Sequence, residues 1–174
     1  MAGRAPGSQR PAVSGGGGRR RSGLRFAIAA ARFHESISKR LVDGALHAFA
    51  AARVPAGDID ISWVPGSFEL PQAAAHLART GRYAAIVCIG VVIRGHTPHF
   101  EHLAREAAAG IAEVGLNTGV PTTFGVVIAL TEEQAWERAG GVVGNRGEEA
   151  AEAAIEMAAF VGALRGPATR RRHR

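Results

Sequence analysis

The chain has 174 residues, is 47% hydrophobic and carries a formal net charge of +6. That length suits one domain with tails and an ordinary buried core. No apolar run approaches the roughly 20 residues that span a bilayer, and the basic N-terminus lacks an apolar h-region, which argues against a membrane span and a secretory signal. The charge sits at the ends. Residues 1–23 hold five arginines and no acid, and residues 165–174 hold five more; taking those ten from the 21 lysines and arginines leaves 11 against 15 acids, so residues 24–164 carry −4.

Residues 1–23 are Gly, Ser, Pro and Arg, too poor in apolar side chains to offset the entropy of ordering, and are expected to be a disordered tail. Gly15–Gly18 has no strand before it or helix after it, so it is low complexity and not a phosphate loop. Nucleic acid enters only as a weak, salt-sensitive contact through these basic tails. The first strand is expected over Leu24–Ala31, followed by Arg32-Phe33-His34-Glu35 and a helix capped by Ser36, with Ile37, Leu41, Ala45, Leu46 and Phe49 on one face. Phe33 has two readings: a hydrophobic staple on that helix, or a platform for a flat ligand. Asp58–Val64 alternates Ile59, Ile61 and Trp63 with polar residues and reads as the second strand, ended by Pro65-Gly66. Ser67-Phe68-Glu69 forms the next junction, before a helix over Leu70–Thr80 whose first amides can grip an anion or a carbonyl oxygen. Glu69 can serve the helix dipole or a ligand N–H.

The apolar run from Tyr83 is the third strand and ends at Arg94-Gly95-His96-Thr97-Pro98-His99, the densest polar cluster in the chain. Ligands of open α/β sheets sit beyond the carboxyl ends of strands, so this cluster falls where a site is expected. Cys88, the one cysteine, lies inside the run and reads as a small buried hydrophobe; it can form no intrachain disulfide, which suits a reducing, cytoplasmic location. A helix follows over Pro98–Asn117, then a fourth strand at Thr122–Leu130, a short helix opened by the capping-box spacing Thr131-Glu132-Glu133-Gln134, and a last helix over Asn145–Leu164. His96, His99 and His102 recur every three residues, but on a helix they fan apart, so a proton-transfer role for His99 is preferred to a metal site. Strands alternating with helices imply a mostly parallel sheet covered on both faces.

Several stretches together resemble the lumazine synthase family over about residues 24–162. They are Val64-Pro65-Gly66-Ser67-Phe68-Glu69, Val92-Ile93-Arg94-Gly95-His96-Thr97-Pro98-His99-Phe100, Gly119-Val120-Pro121 with Phe124-Gly125-Val126, Glu133-Gln134-Ala135 with Glu137-Arg138-Ala139-Gly140, and Gly144-Asn145 leading to Ala154-Ile155-Glu156-Met157. With the alternation above, the expected fold is α/β, a single-domain doubly wound (flavodoxin-like) α/β/α sandwich with a four-stranded parallel sheet. The domain occupies residues 24–164, between basic tails at 1–23 and 165–174. The resemblance implies condensation of 5-amino-6-(D-ribitylamino)uracil with 3,4-dihydroxy-2-butanone 4-phosphate to 6,7-dimethyl-8-ribityllumazine, by proton transfers that require no metal or other cofactor. It further implies that Phe33 stacks on the pyrimidine and that Ser67, Phe68 and Glu69 bind its edge or ribityl chain. Val91, Val92 and Ile93 would wall the pocket, with Phe124 closing it. His96, Thr97 and Arg138 would meet the butanone phosphate, and His99 would move the proton. Phe124 and Arg138 would come from a neighbouring subunit of a pentamer, which in some relatives builds a sixty-subunit shell; Gly140–Asn145 is expected as a short turn of the shell-forming kind. His34 stands where relatives commonly have Asn, and Val142 where many have Lys, with Arg146 as a substitute cation. A shell-forming or flavin-binding scaffold without catalysis is the alternative.

Overall fold

The computed structural model describes residues 23–165. The tails expected at 1–23 and 165–174 lie, except for Gly23 and Arg165, outside the described residues. The order of elements is β1 (Phe26–Ala31), α1 (Glu35–Ala51), β2 (Ile59–Val64), α2 (Leu70–Arg79), β3 (Ala85–Ile93), α3 (His99–Thr118), β4 (Thr122–Ala129), α4 (Glu132–Glu137), β5 (Ala139–Gly141), β6 (Gly144–Asn145) and α5 (Arg146–Arg165). Four strands form a parallel sheet in the order β2-β1-β3-β4, with β1 directly beside both β2 and β3. This is the doubly wound order expected from the alternation, and its switch point lies between β1 and β3.

Period-two alternation divides β1 and β3 between two cores. On one face Phe26, Ile28, Val87 and Ile89 pack with Ile37, Leu41 and Phe49 of α1 and with Ala150, Ala151, Ala154 and Ala158 of α5. On the other, Ala27, Ala29, Ile86 and Cys88 meet Leu70 and Ala74 of α2 and Ala104 and Ile111 of α3. The Phe26 and Phe49 rings lie 4.9 Å apart and tilted, an arrangement that adds about 0.5–1.5 kcal/mol beyond area burial. Both central strands are therefore apolar throughout, as strands buried on both faces must be.

Three boundaries depart from expectation. Ser36 lies inside α1, and the N-cap is His34 in the left-handed region, with φ 60° and no side-chain cap bond. Histidine, like asparagine, is enriched in that region, so His34 suits this position. The short turn expected over Gly140–Asn145 contains the antiparallel hairpin β5–β6. At Thr131 the capping box is half formed: the hydroxyl accepts from the Gln134 amide at 3.3 Å, while Gln134 Oε1 accepts from the Leu130 amide at 3.0 Å.

At the amino ends of the strands, Asp60 Oδ2 accepts from Arg25 Nη2 at 2.8 Å and from Tyr83 Oη at 2.7 Å. Burial, then the hydrogen bond and charge of Asp60, pushes the Tyr83 phenol from 10.0 up to about 12. Burial pushes the Cys88 thiol from 9.0 up to about 12, which leaves it an inert core residue. A group whose pKa is raised by folding stabilises the native state fully below its unfolded value and loses that contribution as pH climbs to the folded value. Stability is thus expected to decline from about pH 9 through Cys88 and more steeply from pH 10.0 to about 12 through Tyr83. Chemical denaturation across this range should show a shallower decline in Tyr83→Phe; an identical slope would mean that a phenolate is tolerated beside Asp60.

Candidate active site

The carboxyl ends of β1, β2 and β3 meet at one cleft. Backbone pairing continues past β1, with the Arg32 amide donating to Val64 O at 2.8 Å and the Phe33 amide to Pro65 O at 3.0 Å. These bonds hold the β1–α1 loop against the turn that follows β2. Phe33 is 67% exposed, so it is not the packed staple that one reading expected, and its ring stands at the cleft wall. The turn enters α2 through a single 3-10 turn, Ser67–Glu69. Ser67 is buried there, its hydroxyl donating to Val91 O at 3.4 Å, while Phe68 stays exposed.

The cleft encloses about 380 Å³ among Phe33, Pro65, Gly66, Ser67, Phe68, Glu69, Val91, His99 and Leu103. That is within the usual size for small-molecule sites. A smaller recess of about 160 Å³ shares Phe33, Val91, His99 and Leu103 and adds Val92, Ile93, Gly95, Thr97 and Phe100. Next to it lies a polar basin of about 400 Å³ lined by Arg94, Gly95, His96, Thr97, Pro98, Phe100 and Glu101. Shared residues join the three into one groove. It is apolar and aromatic where Phe33 stands and polar where Arg94, His96 and Glu101 stand, so it suits a ligand with a flat ring at one end and a polar group at the other.

His99 opens α3 and lines both the cleft and the recess. His96 lies apart in the basin, and among the described residues no three His, Cys, Asp or Glu side chains gather to hold a metal ion. Leu103 and Pro65 line the cleft although neither was singled out from the sequence. Leu103 is one helical turn beyond His99, and that i, i+4 spacing is the signal that points to it.

Phe124 and Arg138 are not brought to this cleft. Phe124 lies on the edge strand β4 and is 40% exposed. Arg138 follows α4, with Nη1 donating to Gln134 O at 2.9 Å. Val142 at the hairpin tip is 91% exposed, and the Arg146 side chain is paired with Glu149 rather than extended past Val142.

A parallel sheet in the order β2-β1-β3-β4, with a ligand-sized groove beyond its switch point, defines a flavodoxin-like α/β protein. The narrower assignment comes from comparison with known families. The model of the 6,7-dimethyl-8-ribityllumazine synthase family matches residues 23–161, and the chain belongs to that family.

Proposed function

We propose that this protein catalyses the condensation of 5-amino-6-(D-ribitylamino)uracil with 3,4-dihydroxy-2-butanone 4-phosphate to 6,7-dimethyl-8-ribityllumazine, releasing phosphate and water, as a transferase of riboflavin biosynthesis in the cytoplasm. The observation that carries this reading is the single groove in which Phe33, the Ser67–Glu69 turn and His99 face one another, in a chain of this family. In it the pyrimidine stacks on Phe33, with its edge and ribityl chain toward Ser67, Phe68 and Glu69, against the wall of Val91, Val92 and Ile93. The butanone phosphate lies toward His96 and Thr97. Imine formation, phosphate elimination, ring closure and dehydration each need a proton moved near the junction of the two substrates. His99, between cleft and recess, is the group positioned for it. The remaining acceleration comes from holding two reactive partners in register.

One copy does not complete this site, because Phe124 and Arg138 lie away from its own cleft. Phe124 and Ile128 are exposed on the edge strand β4, with Leu130 just beyond it, and Arg138 follows α4. A second copy packed by that edge supplies Phe124 to the pyrimidine and Arg138 to the phosphate, in a pentamer able to build a larger shell.

The test is turnover, followed as lumazine formation against the unassisted condensation. His99→Ala is expected to lower kcat by roughly 10- to 100-fold, at or below the usual acid–base contribution because the chemistry proceeds slowly unaided. If the assembled wild-type protein is no faster than the control, catalysis is lost and a shell-forming or flavin-binding scaffold takes its place.

A further inference from the structure

At Gly90 the face of β3 that meets α2 and α3 carries no side chain. Its neighbours on that face, Cys88 and Val92, are packed in the core, so the gap is local. A Cβ at Gly90 would stand 2.5 Å from Ser67 Oγ, 3.1 Å from Leu70 Cδ1 and 3.4 Å from Ala31 Cβ. The first distance is far inside van der Waals contact. The Leu70 methyl is the end of a flexible side chain and can yield. Ser67 has less freedom: it is 3% exposed and its hydroxyl is directed at Val91 O. Gly90 lies within a regular strand and has no positive φ, so what the position excludes is volume and not an alanine backbone.

We propose that Gly90 is a positioning residue that sets how deeply the Gly66–Glu69 turn seats in the cleft, and through it the affinity for the flat heterocyclic substrate. The inference rests on the proposed function and adds to it a residue that touches no substrate. The missing side chain at Gly90 leaves the space that Ser67 Oγ occupies. Filling that space lifts Ser67 and carries Phe68 and Glu69 with it, because all three belong to one 3-10 turn. The Arg94–Glu101 basin is formed by the loop after β3 and the first turn of α3, and the Ser67–Glu69 turn is not among its lining. The two ends of the groove therefore respond differently.

The experiment compares wild type, Gly90→Ala, Ser67→Ala and the double variant in the assembled protein. It measures KM for each substrate, kcat, and direct binding of 6,7-dimethyl-8-ribityllumazine by fluorescence. Gly90→Ala is expected to raise the pyrimidine KM and weaken lumazine binding about tenfold, the scale of effect produced by displacing a positioned group. The butanone-phosphate KM should stay within about twofold. Ser67→Ala removes the atom that Gly90 accommodates, so adding Gly90→Ala to it should change little further. The inference is overturned if Gly90→Ala raises both KM values equally, or if the double variant shows the product of the single effects. Should Gly90→Ala fail to assemble, assembly of the double variant supports the contact, and its failure shows that the sheet rather than the turn requires glycine. Wild type is measured first: if it neither turns over nor binds the lumazine, the proposed function fails and takes this inference with it, whereas an active wild type with an indifferent Gly90→Ala overturns the inference alone.

Discussion

Arg138→Ala is expected to raise the KM for the butanone phosphate by about 10- to 100-fold and to leave the pyrimidine KM nearly unchanged. A hydrogen bond to a charged group contributes about 1.5–3 kcal/mol, and each 1.4 kcal/mol is tenfold in binding. The backbone at Arg138 is held on both sides. Its amide donates to Ala135 O at 3.2 Å, and its carbonyl accepts from the Arg146 amide at 2.9 Å across the β5–β6 hairpin. One guanidinium nitrogen is committed to Gln134 O, which orients the side chain. Lysine should restore charge but not the planar fork, so Arg138→Lys should fall between wild type and alanine. Because Arg138 stands away from the cleft of its own chain, the same residue tests whether the site is shared. Co-assembly of Arg138→Ala chains with His99→Ala chains should be more active than either variant alone, since some interfaces then pair an intact His99 with an intact Arg138. Activity no higher than the average of the two parents would mean that Arg138 acts within its own chain, and the inter-subunit site would be withdrawn.

Gly147→Ala is expected to cost at least about 3 kcal/mol, at the top of the usual range for overpacking, and to abolish assembly where the folded chain is marginal. The reason is the crossing of α1 and α5. A Cβ at Gly147 would overlap the Leu41 carbonyl oxygen of α1, and backbone cannot move aside as a side chain can. The same crossing brings Gly44 against Asn145, whose Nδ2 donates to Arg40 O at 2.9 Å and whose Oδ1 accepts from the Gly147 and Glu148 amides at 2.9 and 3.2 Å. Asn145 thus caps α5 and pins it to α1 at once. Gly162, in the same helix, faces open space. Gly162→Ala should be neutral or stabilise by up to about 1 kcal/mol through helix propensity. Denaturant midpoints of the two variants should therefore move in opposite directions. If both behave alike, propensity rather than the crossing governs α5.

Much of this architecture was legible because its causes are local. Alternation in β2, apolar runs in β1 and β3, the break at Pro65-Gly66 and the polar stop after Ile93 each declare themselves within a few consecutive residues. The structure departs from these local signals where two of them compete. Ser36 is a good cap residue, yet the chain begins α1 earlier, since His34 accepts a left-handed turn and frees the loop to pair with Val64 and Pro65. The hairpin after α4 leaves no mark in the sequence, because its strands are three and two residues long and mostly glycine, with no period to read. Thr131 is a cap, as its spacing from Gln134 predicts, but Gln134 bonds to Leu130 one residue earlier, a choice among adjacent amides that composition does not specify.

By itself the sequence determined the order of the helices and the four sheet strands, the parallel two-faced sheet, the strand ends at which unusual side chains gather, and the family motifs. All of these rest on periodicity and on residue types close together in the chain. Only the tertiary structure decided that Phe33 stands exposed at the cleft, that His96 and His99 face different parts of the groove, and that Phe124 and Arg138 lie outside the cleft of their own chain. It alone seats Ser67 in the space left by Gly90 and Asn145 against Gly44. Those two contacts join segments far apart in the chain, set by how far sheet and helices approach one another, and that distance is fixed by packing across the whole core rather than by any single stretch of chain.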